Sequence, residues 1–187
     1  MVMFMKRFLP IFIVFSLMFG NVTFALDGDG IIAENSIIAT DVSVSDDSEL
    51  FDALISEHVT SITLSSDIDV LRTDLVINEN KASLVIDGNG YKITEYYSNE
   101  NSKAIRMQKN GALKSITIKD ISIEGNNWYG FIWVPESVKG VSLLFDNVTY
   151  DGPQPVNNLS GGVTFRDSDI TLSKRHNEVG EAAEANK

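Results

Sequence analysis

The sequence predicts an all-β protein built as a parallel β-helix, in which successive coils of short strands stack on one another. Five times along the chain, a pair of alternating apolar residues is followed three to five residues later by a second such pair. Alternation with a period of two places both members of a pair on one face of a strand. The copies begin 22, 32, 27 and 20 residues apart, a loose period typical of solenoid repeats. Each copy is therefore expected to form a strand, a corner, a second strand and a variable return loop.

The five copies share this layout and differ in their apolar residues. They are Ile62/Leu64 with Ile68/Val70, Leu84/Ile86 with Tyr91/Ile93, Ile116/Ile118 with Ile121/Ile123, Leu143/Phe145 with Val148/Tyr150, and Val163/Phe165 with Ile170/Leu172. In four copies an aspartate follows the first strand: Asp87, Asp120, Asp146 and Asp167. Aspartate accepts backbone N–H groups and tolerates turn geometry, so these residues are expected at corners. A calcium-binding row of carboxylates is the alternative, and it would need several oxygens converging on one ion.

Residues 1–25 have the composition of a secretory signal peptide and are excluded from the fold. Lys6 and Arg7 precede an apolar stretch from Phe8 to Phe19, and small residues follow as far as Ala25. We expect cleavage after Ala25, secretion, and no transmembrane segment in the mature chain, because the apolar run is shorter than the roughly 20 residues that span a bilayer. The chain has no cysteine, so neither a lipid-modified cysteine nor a disulfide can form.

The mature chain is predicted to be one domain with a short segment at each end. Residues 26–45 are interpreted as a linker, since their Asp27 and Asp29 lack the further ligands of a calcium loop. Residues 46–58 are predicted to form a helix that covers the N-terminal end of the β-helix, with Asp46 as its cap and Glu49 three residues on. The helical face would hold Leu50, Phe51, Leu54 and Ile55. The β-helix domain is assigned to residues 46–175.

The polar tail, residues 176–187, either folds over the last coil or belongs to a chain that is truncated here, and we expect truncation. An open last coil would present unpaired N–H and C=O groups. Once Lys6 and Arg7 are removed, 13 basic residues face 26 acidic ones, a net charge of −13. This charge argues against nucleic acid or anionic lipid as a partner, because both reward a basic surface.

Three segments carry a resemblance to a known family. Residues 84–93 (Leu-Val-Ile-Asp-Gly-Asn-Gly-Tyr-Lys-Ile) resemble an early coil of pectate-lyase-type β-helices, where an Asp-Gly-x-Gly corner turns the chain. Residues 127–132 (Asn-Trp-Tyr-Gly-Phe-Ile) and 147–154 (Asn-Val-Thr-Tyr-Asp-Gly-Pro-Gln) are similar to the pectate lyase-like adhesive domain of Gram-positive bacterial cell-surface proteins, as in WxL-type surface proteins. The resemblance spans residues 40–172 and implies a right-handed β-helix, exposure at the cell surface and a role in adhesion. The sequence contains neither a WxL nor an LPxTG motif, so it does not predict how the protein is held at the cell wall.

No catalytic site is predicted. A lyase needs a base at the proton that it abstracts and cations that stabilise the resulting charge; in the enzymes that the fold resembles, an arginine assisted by calcium usually serves. Arg106, near Lys103 and Lys109, could instead bind a carboxylate or sulfate of a glycan, and a solvated loop is the alternative. His58 and His176 are too distant in sequence to suggest a metal site. We therefore assign no cofactor, and calcium has no support from the sequence.

Aromatic residues between positions 128 and 134 are the better candidates for ligand binding. Tyr129, Phe131 and Trp133 are predicted to share one face of a strand, with Trp128 on the other. Aromatic rings can stack on sugar faces, but core packing is the expectation for Phe131 and remains an alternative for Trp128 and Tyr129. Amide side chains nearby could bind sugar hydroxyls. The candidate ligand-binding residues are Trp128, Tyr129, Asn126, Asn127, Gln154 and Arg106.

Three functions are compatible with these features. The favoured one is a non-catalytic secreted or cell-surface adhesion module of a bacterium, which binds a polysaccharide or a host matrix ligand. The second is a polysaccharide lyase that acts on acidic glycans. The third is a structural spacer within a larger surface protein.

Overall fold

The computed structural model describes residues 40–72, 75–96, 105–107, 111–158 and 161–173, which form parallel strands and a helix. The predicted signal peptide, most of the predicted linker, the polar tail, Lys103 and Lys109 lie outside the described residues. The linker prediction is wrong for residues 40–44, which form the first strand of the sheet. In chain order the elements are β1 (Thr40–Val44), α1 (Asp47–Ile55), β2 (Val59–Leu64), β3 (Ile68–Val70), β4 (Leu75–Ile77), β5 (Ser83–Asp87), β6 (Lys92–Glu95), β7 (Ile105–Met107), β8 (Ser115–Glu124), β9 (Ile132–Val134), β10 (Ser142–Gly152), β11 (Val156–Asn158), β12 (Val163–Arg166) and β13 (Asp169–Leu172).

The strands fall into three parallel stacks, which we call faces 1, 2 and 3. Face 1 contains β1, β2, β5, the first halves of β8 and β10, and β12, paired in that order. Face 2 contains β3, β6, the second halves of β8 and β10, and β13. Face 3 contains β4, β7, β9 and β11. The chain visits the faces in turn and stacks each pass, here called a coil, on the one before, which is a β-helix-like arrangement.

Aligned apolar side chains fill the interior between the faces. On face 1 the register places in one column Val42, Ile62, Ile86, Ile118, Phe145 and Phe165. On face 2 a second column contains Ile68, Ile93, Ile123, Tyr150 and Ile170. The middle members of both columns are buried. The period-two prediction is therefore confirmed for the strands of faces 1 and 2, because burial of the alternating apolar residues sets their register.

Two features of the coil were not anticipated. The predicted return loop contains a third strand in four coils, and these strands are only three residues long, too short for a periodic signal. The assignment of Tyr91 to an inward pair is wrong, since Tyr91 is 37% exposed and its N–H donates to the carbonyl of Gly88 within the turn. β6 begins one residue later, so that the inward residues are Ile93 and the carboxylic acid Glu95.

The last described coil is only partly covered. β12 and β13 pair with β10 on one side, and within the described residues no strand pairs with their other side. Phe165 is consequently 43% exposed and Leu172 is 70% exposed, although both belong to the predicted apolar pairs. The ring of Phe165 lies 5.1 Å from that of Phe145, which continues the column of face 1 into this coil.

Helix α1 begins at the predicted cap and ends three residues before the predicted position. The Asp46 carboxylate accepts the N–H groups of Ser48 and Glu49, both at 2.9 Å. Leu50 and Leu54 are buried as predicted, but Ile55 is exposed and Ala53 takes its place in the core. The helix contacts β1, β2, β3 and β4. Among the described residues, no helix is long and apolar enough to cross a membrane.

Lys81 connects the end of α1 to the strands. Its side chain is buried, and its ammonium group donates to the carbonyl oxygens of Ala53, Ser56 and Val59. Burial lowers the pKa of Lys81 to about 8. The three carbonyl acceptors favour the charged form, and two of them lie at the C-terminal end of the helix, where a cation is stabilising. No pattern in the sequence predicts that this lysine is internal.

Candidate ligand-binding surface

The predicted aromatic residues Trp128 and Tyr129 occupy the tip of a tight turn before β9. The carbonyl of Asn127 accepts the N–H of Gly130 at 3.1 Å, and its side-chain oxygen accepts the N–H of Tyr129 at 2.8 Å. These bonds define a β-turn with Trp128 and Tyr129 at its centre. Trp128 is 44% exposed and Tyr129 is half-buried. The turn therefore holds two aromatic side chains at the protein surface on a hydrogen-bonded frame.

Gly130 fixes this aromatic turn against the next coil. Its φ angle is +86°, a conformation that favours glycine. A Cβ atom at this position would lie 2.9 Å from the carbonyl carbon of Val156 and 3.0 Å from the amide nitrogen of Asn157. The backbones thus approach more closely than any side chain would allow, which packs the turn beside β11.

The structure corrects the role expected for Asn126 and Asn127. Both side chains are buried, so neither presents its amide to a ligand at the surface. The backbone N–H of Asn126 donates to the carboxylate of Glu95 at 2.8 Å, while Asn127 builds the turn itself. These residues support Trp128 and Tyr129 from below. The sequence indicated polar residues beside the aromatics but not which of them face inward.

Gln154 is also held by the backbone. Its side-chain amide donates to the carbonyl of Val156 at 3.0 Å. Its backbone carbonyl accepts the Tyr150 hydroxyl at 2.6 Å, and its backbone N–H donates to that hydroxyl at 3.2 Å. Tyr150 points into the core because Gly125 and Gly152 leave room for its hydroxyl, which lies 2.2 Å and 2.6 Å from the positions of their missing Cβ atoms. The motif at residues 147–154 is thus explained largely by the packing of one tyrosine.

Arg106 and Trp133 lie side by side on the outside of face 3. The register pairs Arg106 of β7 with Trp133 of β9, and continues to Val76 on one side and Asn157 on the other. All four residues are half-buried, whereas their neighbours in β4, β7 and β9 are buried in the core. We call Val76, Arg106, Trp133 and Asn157 the face 3 strip. It runs along the stacking direction, and the aromatic turn lies at the start of β9.

The prediction that Tyr129, Phe131 and Trp133 share one face of a strand is wrong. Phe131 is buried, as expected for it individually, but it precedes the strand. In β9 the inward positions are Ile132 and Val134, so that Trp133 between them points outward. The alternation itself is present in β9. The aliphatic residues Ile132 and Val134, and not the aromatic Trp133, occupy the inward positions.

A buried acid lies beneath the aromatic turn. Glu95 follows Ile93 on the inner side of face 2, and burial raises its pKa to about 7 while the N–H of Asn126 acts in the opposite direction. Burial, and then the charge of Glu95, raise the pKa of the Tyr150 hydroxyl above its ordinary value. Because the Glu95 carboxylate accepts the N–H of Asn126, the protonation of Glu95 acts on the segment that leads into the aromatic turn.

The four corner aspartates divide into two different columns. Asp87 ends β5 and Asp146 ends the first half of β10, and both alternate with basic partners in the column Asp87, Lys119, Asp146 and Arg166. Lys119 is bonded to Asp87, and Arg166 donates to Asp146 at 2.7 Å through Nε. Asp120 and Asp167 lie one position later and adopt φ angles of +50° and +48°. The corner prediction is confirmed for this second pair by their turn conformation, and for Asp87 because its carboxylate accepts the N–H of Asn89 at 2.8 Å. No group of three acidic or histidine residues that could hold a metal occurs in the described ranges.

A polar groove lies at the bend between faces 1 and 2, which we call corner A. Its volume is about 440 Å³, and its lining includes Asp87, Asn89, Asp120, Ser122, Asn147 and Thr149. The sequence predicted Asp87 and Asp120 as corner residues, with a calcium-binding row as the alternative, and did not predict a groove. The signal that could have revealed the groove is the recurrence of Asp or Asn at the same step of successive coils, followed by outward Ser or Thr.

Comparison with known proteins is consistent with this architecture. Residues 41–156 match the pectate lyase-like adhesive domain family, and the chain belongs to that family. Among solved structures, the chain is similar in fold to the SRRP adhesins of Lactobacillus reuteri 100-23 and 53608, with TM-scores of 0.54 and 0.53 and sequence identities of 23% and 22%. Each alignment covers 66% of this chain, and the chain spans 36% and 41% of those two structures. Comparison with curated proteins gives no match.

Proposed function

We propose that this protein is a non-catalytic, secreted or cell-surface adhesion module that binds a glycan or a matrix ligand through the aromatic turn and the face 3 strip. Membership of an adhesive-domain family supports the adhesive role. The observation that carries the binding surface is the exposed Trp128 on a turn fixed by Asn127 and Gly130. Signal-directed export of the chain, with loss of residues 1–25, is part of the proposal.

The physical argument for Trp128 rests on its exposure and its rigid frame. A large aromatic side chain at the surface gains contact energy when a ligand removes it from water. A frame that is already ordered reduces the conformational entropy lost on binding. A sugar ring offers a matching apolar face, and its hydroxyl groups can bond to polar groups at the rim. The turn is therefore suited to a carbohydrate or to an apolar side chain of a matrix protein.

Arg106 supplies the polar half of the proposed surface. It lies beside Trp133 in register, within a chain of net charge −11. A guanidinium group binds carboxylate or sulfate with two parallel hydrogen bonds. The outward indole of Trp133 next to it suits a ligand that has an apolar face and an acidic group close together.

The proposed architecture goes one step beyond strand pairing. We take the three faces to form a right-handed solenoid, as the family implies, with α1 covering its N-terminal end. The contacts of α1 with β1, β2, β3 and β4 support this role. Such a solenoid would hold the aromatic turn and the face 3 strip in a fixed relation.

Direct binding tests this function. The exported chain is incubated with immobilised plant polysaccharides, bacterial cell walls, mucin and collagen, and retention is measured as a function of protein concentration. Saturable retention that weakens about tenfold in Trp128→Ala is expected, since loss of a central aromatic contact typically costs more than 1 kcal/mol. Leu71→Ala is the matched control, because Leu71 is an exposed apolar residue at the corresponding bend two coils earlier.

Two results would contradict the proposal. Retention of a folded sample on none of the four materials would remove direct adhesion by this chain. An equal loss of retention in Trp128→Ala and Leu71→Ala would indicate non-specific hydrophobic association. Release of an unsaturated, ultraviolet-absorbing product from polygalacturonate with calcium would instead establish lyase chemistry.

A further inference from the structure

The polar groove at corner A contains a non-glycine residue of positive φ in each of three successive coils. Asn89, Asp120 and Asn147 have φ angles of +50°, +50° and +54°. Positive φ is uncommon outside glycine, and asparagine and aspartate adopt it most readily. Asp120 and Asn147 directly follow register partners at the end of face 1, so their side chains recur along the stacking direction at the strand spacing of about 4.8 Å. Asn89 lies one position further along in a longer bend, and its side-chain amide donates to the carbonyl of Leu64 at 3.5 Å.

A second polar row borders the groove on face 2. Ser122 and Thr149 are register partners on β8 and β10, and both side chains point outward. Thr149 is exposed and Ser122 is half-buried. The groove thus has amide and carboxylate groups along one wall and hydroxyl groups along the other, repeated from coil to coil.

The charges of the groove are largely balanced within the protein. Lys119 is bonded to Asp87 and lies 3.4 Å from Asp120. The amide of Asn147 donates to Asp120 at 2.8 Å. These contacts hold the wall in place and leave the Asn147 side-chain oxygen as a further acceptor, since an amide has both donors and acceptors. An anionic ligand would meet two carboxylates, which like-charge repulsion disfavours.

We infer that corner A is a second binding site, for a neutral, linear polysaccharide that lies along the stacking direction. Hydroxyl groups of a sugar both donate and accept, which matches the mixture of carboxylate, amide and hydroxyl groups in the groove. The strand spacing is close to the length of one sugar residue in an extended chain, so successive sugars meet equivalent groups. This site lies at the bend between faces 1 and 2, whereas the aromatic turn and the face 3 strip belong to face 3 and its approach.

The conformation of Asn147 allows a clean test. Asn147→Gly keeps the positive φ angle at no steric cost and removes the amide, and Thr149→Val removes a hydroxyl at nearly constant shape. The double variant deletes both walls in one coil. Asp167→Gly is the matched control, because Asp167 has a φ angle of +48° at the equivalent position of the next coil and does not line the groove. Thermal unfolding of each variant verifies that the fold is retained.

Binding is measured by affinity electrophoresis of the exported chain in gels that contain β-1,3/1,4-glucan, α-mannan or dextran. Polygalacturonate serves as the anionic probe. We expect retardation by at least one neutral polymer, an increase of about tenfold in dissociation constant for the double variant, and no change for Asp167→Gly. Trp128→Ala is run in parallel to measure the share of this retardation that the proposed aromatic site contributes, so that the loss in the double variant is assigned to the groove.

Three outcomes would overturn the inference. They are retardation by none of the neutral polymers, retardation by polygalacturonate alone, and equal retardation of the double variant and the original chain. If Trp128→Ala abolishes binding to the neutral polymer while the double variant does not, that polymer is bound by the aromatic turn and the groove is not a binding site. The proposed adhesive function would survive this last result.

Discussion

Corner A and the bend between faces 2 and 3, here called corner B, turn the same chain in different ways. Within one coil, the member of the face 1 column and the member of the face 2 column are five to seven positions apart, as Ile118 and Ile123 show. The member of the face 2 column and the inward residue that begins the face 3 alignment of the same coil are six to twelve positions apart, as Ile123 and Ile132 show. Corner A is therefore nearly constant in length, whereas corner B varies about twofold among the coils.

The difference follows from how each bend is made. In most coils corner A uses one residue of positive φ, so the strands on both sides stay in register and little can be inserted. The segments of corner B differ in length from coil to coil, and the one between β8 and β9 forms the aromatic turn. A constant bend produces a repeated surface, which suits a repetitive polymer. A variable bend produces a unique surface, which suits a single specific contact.

The largest expected effect is at Gly88, the tightest point of corner A. A Cβ atom at Gly88 would lie 2.3 Å from Cβ of Ile121 and 2.5 Å from the carbonyl oxygen of Asp120 in the next coil. Gly88→Ala is expected to lower the free energy of unfolding by about 3 kcal/mol, since the stacked backbones must separate. Urea denaturation measures the change.

Gly90→Ala is the control for this comparison. Gly90 has a φ angle of +84° but no atom within 4 Å of its Cβ position, so its substitution meets only backbone strain. We expect a loss of about 1 kcal/mol. Equal losses at Gly88 and Gly90 would show that coil spacing is not what constrains corner A.

The second effect concerns pH and corner B. The folded-state pKa of Glu95, about 7, is above its ordinary value of 4.5, so its protonated form is the one that folding favours. This contribution is complete below pH 4.5 and is lost as pH rises through 7. We expect the unfolding free energy to fall by roughly 2–3 kcal/mol between pH 4.5 and pH 7.5 from this group.

Glu95→Gln separates this effect from other titrations. The amide keeps the shape and cannot ionise, so the difference in unfolding free energy between the variant and the original chain should change sign or size across this pH range. A parallel pH dependence of both proteins would exclude Glu95 as the titrating group.

The smallest effect tests the repeated element of corner A. Asn147→Val places a β-branched residue at a φ angle of +54° and is expected to cost about 1–2 kcal/mol of stability. Asn147→Gly should be nearly neutral. Differential scanning calorimetry of the two variants measures the difference, and equal melting temperatures would contradict the assignment of backbone strain to this position.

Much of the fold was predictable because faces 1 and 2 repeat. Pairs such as Ile116 and Ile118 alternate over several residues and recur five times, so their inward direction could be read from the sequence. The strands of face 3 could not be found in this way, since Ile105-Arg106-Met107 offers only three residues. The position of Glu95 inside the protein was missed because a charged residue in an inward column contradicts the pattern that identifies the column.

The candidate site was predictable in composition but not in orientation. The sequence predicted Trp128 and Arg106 as candidate ligand-binding residues, and the structure places both in partly exposed positions. Whether Asn126 faces a ligand or the core depends on the coil below, where Glu95 accepts its N–H. Contacts between coils of this kind are long-range and leave no local pattern in the sequence.

The column of alternating charges affects which strands can pair with one another. It consists of Asp87, Lys119, Asp146 and Arg166. The apolar columns inside are nearly identical from coil to coil, so they alone do not distinguish the correct neighbour of a strand from the next one along. A chain that omitted β8 would bring Asp87 against Asp146, two like charges in direct opposition. A chain that omitted β10 would set Lys119 beside Arg166. The outer charges thus disfavour pairings that skip a coil and favour the native neighbour of each strand.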